Sequence, residues 1–224
     1  DRGAAREQPL RPRGRELGLP GRRRVNGEET RAGLARRILA ALTAACPGSR
    51  AELRGSMAAG TADAYSDIDV AWTVPGDHFG SCVDGAAEVL GRVRPVESLR
   101  SDPEFADAPG RRLLFASFTD VPLFWRLDLD VHGEPASGST PPSTTLPWPP
   151  AASALANGVA AVKWSRRGRE DLAGALLDRA FPRVGATRPP GGTLTSDLHE
   201  LAAAATAFDP TQSLFATRLL ALLV

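Results

Sequence analysis

The 224-residue sequence has little of several residue types that often reveal a function at sight. It holds two cysteines, Cys46 and Cys82, too few and too isolated for a disulfide framework or a CxxC-type zinc site. That scarcity fits a reduced, cytoplasmic compartment. Its three histidines, His78, His132 and His199, are too scattered to form a metal motif. Lysine occurs once, as Lys163, and every other basic side chain is arginine. Alongside so much Ala, Gly and Pro, that reads as the codon bias of a GC-rich bacterial genome. No apolar run approaches the ~20 residues of a membrane span, so no membrane partner is expected. No Walker GxxxxGK is present, which excludes a P-loop. A net charge of +1 gives no electrostatic case for a nucleic-acid partner.

What remains is ordinary globular material, 42% hydrophobic and 24% charged, long enough to build a core without disulfides. Residues 1–24 carry eight Arg against Asp1, Glu7 and Glu16, a local +5 that leaves −4 for the rest. They show no periodicity, and residues 1–25 read as a disordered, solvated tail. Because the chain opens on Asp1, the tail is expected to be a fragment or the product of a start upstream of Val25.

A helix is predicted from about Glu28 to Ala45, stopped by Pro47-Gly48. Within it, Arg36-Arg37 followed by Ile38–Ala45 and Cys46 imitates a lipoprotein signal. The four-residue recurrence of Leu34, Ile38 and Leu42 favours one face of an amphipathic helix. Strands are predicted at Arg50–Arg54, Ser66–Val74, Arg112–Thr119 and Phe124–His132, with a helix at Asp77–Val93. Residues 133–150 hold six Pro among Gly, Ser and Thr, and read as a linker.

Helical patterns follow: after Pro149-Pro150 to Trp164, over Arg169–Phe181, from Asp197 to Phe208, and beyond Asp209-Pro210. Asp197 with Glu200 resembles a capping box, and Asp209-Pro210 an N-cap with an N1 proline. The predicted fold is α+β: a mixed sheet with flanking helices over 26–132, then a helical bundle over 151–224.

The informative stretch is Gly55-Ser56 followed, after ten residues, by Asp67-Ile68-Asp69. Alternation along a strand puts Asp67 and Asp69 on one side, about 6.6 Å apart, with Ile68, Val70 and Trp72 on the other. Two carboxylates held together repel, and hard cations such as Mg²⁺ relieve them. Leu127-Asp128-Leu129-Asp130-Val131 alternates likewise and offers a third acid, which would complete a two-metal site. Glycine at Gly55 lets backbone N–H groups approach a phosphate, Ser56 adds a hydroxyl donor, and Met57–Ala59 is suited to open a short helix.

Gly-Ser, about ten residues, Asp-x-Asp and a later acidic strand resemble the signature of the DNA polymerase β-like nucleotidyltransferase superfamily. A helical C-terminal half is similar to the aminoglycoside nucleotidyltransferases and their bacterial relatives. The motif covers Gly55–Asp69 and the likeness of layout about 26–224. The resemblance implies that Gly55 and Ser56 bind the triphosphate of an NTP donor, with ATP expected. It implies two Mg²⁺ ions on Asp67 and Asp69, and a third carboxylate at Asp128 or Asp130 that ligates metal or deprotonates the acceptor hydroxyl. Asp128 better matches the apolar-Asp-apolar pattern. Lys163 is a candidate for the triphosphate, beside the plainer reading of a solvated surface lysine.

The reaction implied is transfer of a nucleoside monophosphate to a hydroxyl of a small-molecule acceptor, with release of pyrophosphate. Two other readings stay open: a protein- or RNA-modifying nucleotidyltransferase of toxin–antitoxin type, and a non-catalytic module of the same fold. A homodimer sharing its cleft is compatible with the sequence. Asp63 reads as a turn residue and Tyr65 as packing beside the site. Trp72, Trp125, Trp148 and Trp164 read as core or interface, with Trp125 opposite Asp128.

Overall fold

A computed structural model describes residues 30–134, 146 and 148–224. The Arg-rich tail and most of the predicted linker lie outside the described residues. Among these residues, no helix is long and apolar enough to cross a membrane.

Helix α1 (Arg31–Ala45) starts on Thr30, whose side chain accepts a hydrogen bond from Gly33 N at 3.1 Å. It buries Leu34, Ala35, Ile38 and Leu42 on one face, as the four-residue step requires. After β1 (Arg50–Leu53) and a single helical turn, α2 (Gly55–Ala58), the chain enters β2 (Ile68–Val74). Helix α3 (Phe79–Val93) follows a short 3₁₀ turn and buries Phe79, Val83, Ala86 and Leu90. Three strands complete the sheet: β3 (Val96–Ser101), β4 (Arg111–Phe118) and β5 (Leu127–Gly133).

The sheet order is β1-β2-β5-β4-β3. Strands β2 and β5 are parallel and every other neighbouring pair is antiparallel. Parallel neighbours need a crossover, here supplied by α3 and the β3–β4 hairpin. On one face Ile68, Val70, Trp72, Leu114, Ala116, Phe118, Leu127, Leu129 and Val131 pack against α1 and α3. Each fully buried aliphatic side chain there contributes about 1.5–3 kcal/mol. The alternate residues are left on the opposite face for other work.

The second core belongs to α4 (Pro150–Arg166), α5 (Glu170–Ala180), α6 (Leu194–Phe208) and α7 (Ser213–Leu220). Helix α4 is rich in Ala and buried nearly all round, which makes it the hub of the bundle. At Gly158 a Cβ would lie 2.8 Å from Leu219 Cδ2, so the glycine allows α7 its close approach. Trp125, in a 3₁₀ turn before β5, packs against both cores. The sequence placed Trp125 on a strand, facing away from Asp128. It sits instead at the seam.

Several expectations shift in detail. Strand β2 begins at Ile68, so Asp67 lies in the loop immediately before it. Strand β3, absent from the sequence reading, forms the polar edge of the sheet. Helix α6 is capped by a Thr193–Ser196 box, not by Asp197 and Glu200. Asp197 is fully buried and ion-paired to Arg188, with Nη2 to Oδ2 at 2.7 Å. Asp209 caps the turn at Pro210 as expected, and α7 then starts at Ser213.

Candidate functional site

Strand alternation leaves Asp69 and Asp128 on the face turned away from α1 and α3, and the parallel register sets them directly opposite each other. The row continues across the sheet through Phe115 on β4 to Arg100 on β3. Asp67 joins the acids from the loop before β2, where Ile68 N donates to Arg126 O at 2.9 Å.

That loop is fixed from three directions. Asp63 Oδ1 accepts from Tyr65 N at 2.9 Å and from Ser66 Oγ at 2.8 Å, a local turn of the kind expected there. Arg31 of α1 donates to Ser66 O at 2.9 Å and to Asp63 O at 2.7 Å. Arg167, after α4, grips both Asp63 carboxylate oxygens at 2.8 Å. Tyr65 stacks edge-on against Phe124, with ring centroids 5.4 Å apart.

Two cations enter the acidic cluster. Arg126 donates to both oxygens of Asp128 at 2.6 and 2.7 Å, and its Nη2 lies 3.6 Å from Asp67. Lys163, reaching in from α4, is ion-paired to Asp67 Oδ1. Lys163 is only 5% exposed, which rules out the solvated surface lysine. Burial lowers its pKa, and the Asp67 charge works to raise it. For Arg126 burial opposes the charge, but Asp128 and Asp67 outweigh it and hold the guanidinium more firmly protonated than usual.

Asp69 has no ion pair among the described residues. Burial first, then the charges of Asp128 and Asp67, push its carboxyl up to about 6. Asp128 is also raised, chiefly by burial. Asp130 stands apart. It pairs in register with Ala71, takes hydrogen bonds of 3.0 Å from Arg111 Nε and Nη2, and has His132 Nε2 at 2.9 Å. Burial works against its charge, yet Arg111 and His132 hold its pKa below normal.

Gly55 meets this cluster from above. Its φ is +58°, a left-handed conformation suited to glycine. A Cβ there would overlap Asp69 Oδ2 and lie 3.0 Å from Asp69 Cγ. Arg54 N donates to Asp69 O at 2.8 Å, which binds the Gly55-Ser56 turn to the acid-bearing strand. Ser56 is half-buried beside it.

The donor chemistry suits a divalent cation: three carboxylates face two cations, leaving negative charge concentrated on Asp69. Among the described residues, no three His, Cys, Asp or Glu side chains are grouped as a ready metal cage. The oxygens of Asp67 and Asp128 are turned to Lys163 and Arg126.

The sequence reading missed Arg126, although Arg126, Asp128 and Asp130 share one strand-like alternation. It also missed Arg100 and Phe115. A cavity of about 470 Å³ lies away from the acids, between the start of α1 and the Asp120–Trp125 turn. A smaller cleft lined by Ser117, Leu123, Val159 and Phe215 runs beneath Arg126 and Lys163.

No protein-family model, curated protein or solved structure matches the chain.

Proposed function

We propose that the chain is a Mg²⁺-dependent nucleotidyltransferase, moving a nucleoside monophosphate from an NTP to a hydroxyl of an acceptor and releasing pyrophosphate. The observation that carries this reading is that Asp67, from the loop before β2, joins Asp69 and Asp128 on one face of the sheet, with Gly55 close against Asp69. In this reading Asp67, Asp69 and Asp128 hold two Mg²⁺ ions, and Gly55, Ser56 and Lys163 bind the triphosphate. Mg²⁺ there supplies charge neutralisation for the triphosphate and for the oxygens that gain charge in displacement.

The chain's own groups have distinct tasks. The acceptor oxygen attacks the α-phosphorus, and the bond to the α,β-bridging oxygen breaks as pyrophosphate leaves. The third acid, Asp128, takes one of two roles in this reading, completing the metal site or receiving the hydroxyl proton. Lys163 and Arg126 move from carboxylate oxygens towards phosphate oxygens, which offer them more charge. Asp130, held by Arg111 and His132, serves the position of β5 rather than the chemistry. ATP is the expected donor.

A non-catalytic reading draws on one observation, that Arg126 and Lys163 already neutralise Asp128 and Asp67. One experiment separates the two. The melting temperature is measured with Mg²⁺ and each of the four NTPs, on the wild type and on the Asp67→Asn/Asp69→Asn double variant. A nucleotide at 100 times its dissociation constant adds about 2.7 kcal/mol, several degrees for a chain of this size. A Mg²⁺-dependent rise with one NTP, lost in the double variant, supports transfer and leads to assays of pyrophosphate release. No rise with any NTP at millimolar concentration leaves a scaffold.

A further inference from the structure

Arg100 is a buried cation two of whose guanidinium nitrogens have no hydrogen-bonded partner among the described residues. Only 3% of it is exposed, and its Nε and Nη1 bond nothing among the described residues. Its guanidinium carbon lies 5.4 Å from the Phe115 ring centre and 5.1 Å from that of Trp148. The two rings are themselves 5.9 Å apart. Cation–π attraction to the two rings compensates only part of the cost of burying an unpaired guanidinium.

The surroundings add positive charge. Arg183, after α5, has its guanidinium carbon 5.9 Å from the Trp148 ring centre and donates to Ser153. Arg126 sits 5.0 Å from the same Phe115 ring, but Asp128 matches it. No carboxylate bonds Arg100 or Arg183 among the described residues. Asp102, near both, uses its Oδ1 to accept from Glu104 N at 3.0 Å. Ser98, two positions before Arg100 on the same strand face, likewise has a buried hydroxyl without a partner among the described residues.

We infer that Arg100, Arg183 and Ser98 form an oxyanion-binding subsite for the acceptor, which therefore carries a phosphate or carboxylate group beside its reacting hydroxyl. The inference rests on the nucleotidyltransferase reading for the word acceptor, and on the side chains alone for the anion. Position supports it. Arg100 and Asp128 lie in one cross-strand row with Phe115 between them, two strand spacings or about 10 Å apart at Cα. A small hydroxy acid or phosphorylated alcohol spans the gap between side chains reaching in from both ends. A polycationic acceptor would meet like charge here.

Trp148 is half-buried over Arg100, so an anion arriving there alters its fluorescence. The test is a fluorescence titration of the full chain with inorganic phosphate, in the presence of Mg²⁺ and saturating α,β-methylene ATP. Trp148→Phe identifies the reporting indole. The expected result is saturable phosphate binding, weakened about tenfold or more in Arg100→Gln, with nucleotide affinity unchanged. Arg183→Gln, at a less buried position, weakens phosphate in the same direction and covers the case in which Arg100→Gln fails to fold.

Absence of phosphate binding to folded wild type overturns the subsite. So does equal weakening of nucleotide by Arg100→Gln together with competition between phosphate and nucleotide, which would give the arginine to the donor's triphosphate. Phosphate bound through Arg100 without any nucleotide binding upholds the anion site and removes the transferase reading instead.

Discussion

Lys163 of the helical half is ion-paired to Asp67, in the loop that leads into β2, ninety-six positions earlier in the chain. The lysine side chain is 6% exposed and the aspartate 23%, so the pair is shielded on one side and wetted on the other. Lys163→Met leaves Asp67, among the described residues, with Arg126 as its cation, at 3.6 Å. Breaking a fully buried pair costs about 3–5 kcal/mol, and the wetter aspartate reduces this to about 2 kcal/mol. Urea unfolding should register that loss, and affinity for Mg²⁺–NTP should fall about tenfold or more. Unchanged nucleotide affinity would remove Lys163 from the site.

Asp69 offers a test with the opposite sign. Its folded pKa, pushed up to about 6, lies above the ordinary 3.8, so the native state holds this proton more tightly than the unfolded chain. Stability from this group therefore falls as pH rises from about 4 through 6. Asp69→Asn should raise the melting temperature of the ligand-free protein at pH 7.5 by a few degrees. The shift corresponds to about 1 kcal/mol after allowance for solvent screening. The same variant should lose all stabilisation by Mg²⁺–NTP. A lower melting temperature in Asp69→Asn would show that the carboxylate stabilises the apo fold.

The same proton governs ligand binding. Metal binding requires the carboxylate, so Mg²⁺–NTP affinity should weaken as pH drops below about 6, approaching tenfold per unit. Calorimetry at pH 5 and 7.5 measures it. Equal affinity at the two values would place the metal away from Asp69.

Gly55 and Gly60 form a matched pair. Both have positive φ, +58° and +70°, but a Cβ meets Asp69 only at Gly55. Each alanine substitution carries the backbone cost of a left-handed residue, about 1–2 kcal/mol. Only Gly55→Ala should also displace the Asp69 carboxylate and abolish nucleotide binding. If Gly60→Ala impairs binding equally, the turn's conformation matters and not its distance from Asp69.

Asp128 and Asp130 share a strand face and differ in their partners. Asp128→Asn should reduce pyrophosphate release by about 100-fold or more, the scale of a lost general base or ligand. Asp130→Asn should leave release within about threefold and act mainly on stability by releasing Arg111. Equal losses from the two variants would spread the chemistry along β5.

Most of the α+β layout was legible in the sequence because its signals are local. Leu34, Ile38 and Leu42 mark a helix face, and Asp69 and Asp128 stand out by alternation. Strand β3 was not legible, since Val-Glu-Ser-Leu-Arg-Ser lacks an apolar period and gains its place from pairing with β4. Arg100 and Phe115 were invisible for the same reason, because only strand register puts them beside Asp128. The cap at Thr193 was hidden by a better-looking box at Asp197 and Glu200. Burial of Asp197 beside Arg188 overrode that local pattern. Lys163 could be nominated from the sequence, but its burial against Asp67 depends on how the helical half meets the sheet.

The parallel pairing of β2 with β5 also sets a timetable for synthesis. During translation Asp67 and Asp69 emerge well before Leu127–Gly133, the segment that must lie beside β2. Until then β2 has only β1 as a neighbour, and its apolar residues offer an unpaired edge. Lys163 emerges later still. The acids are thus gathered, with their mutual repulsion, before the lysine that pairs with Asp67 is available.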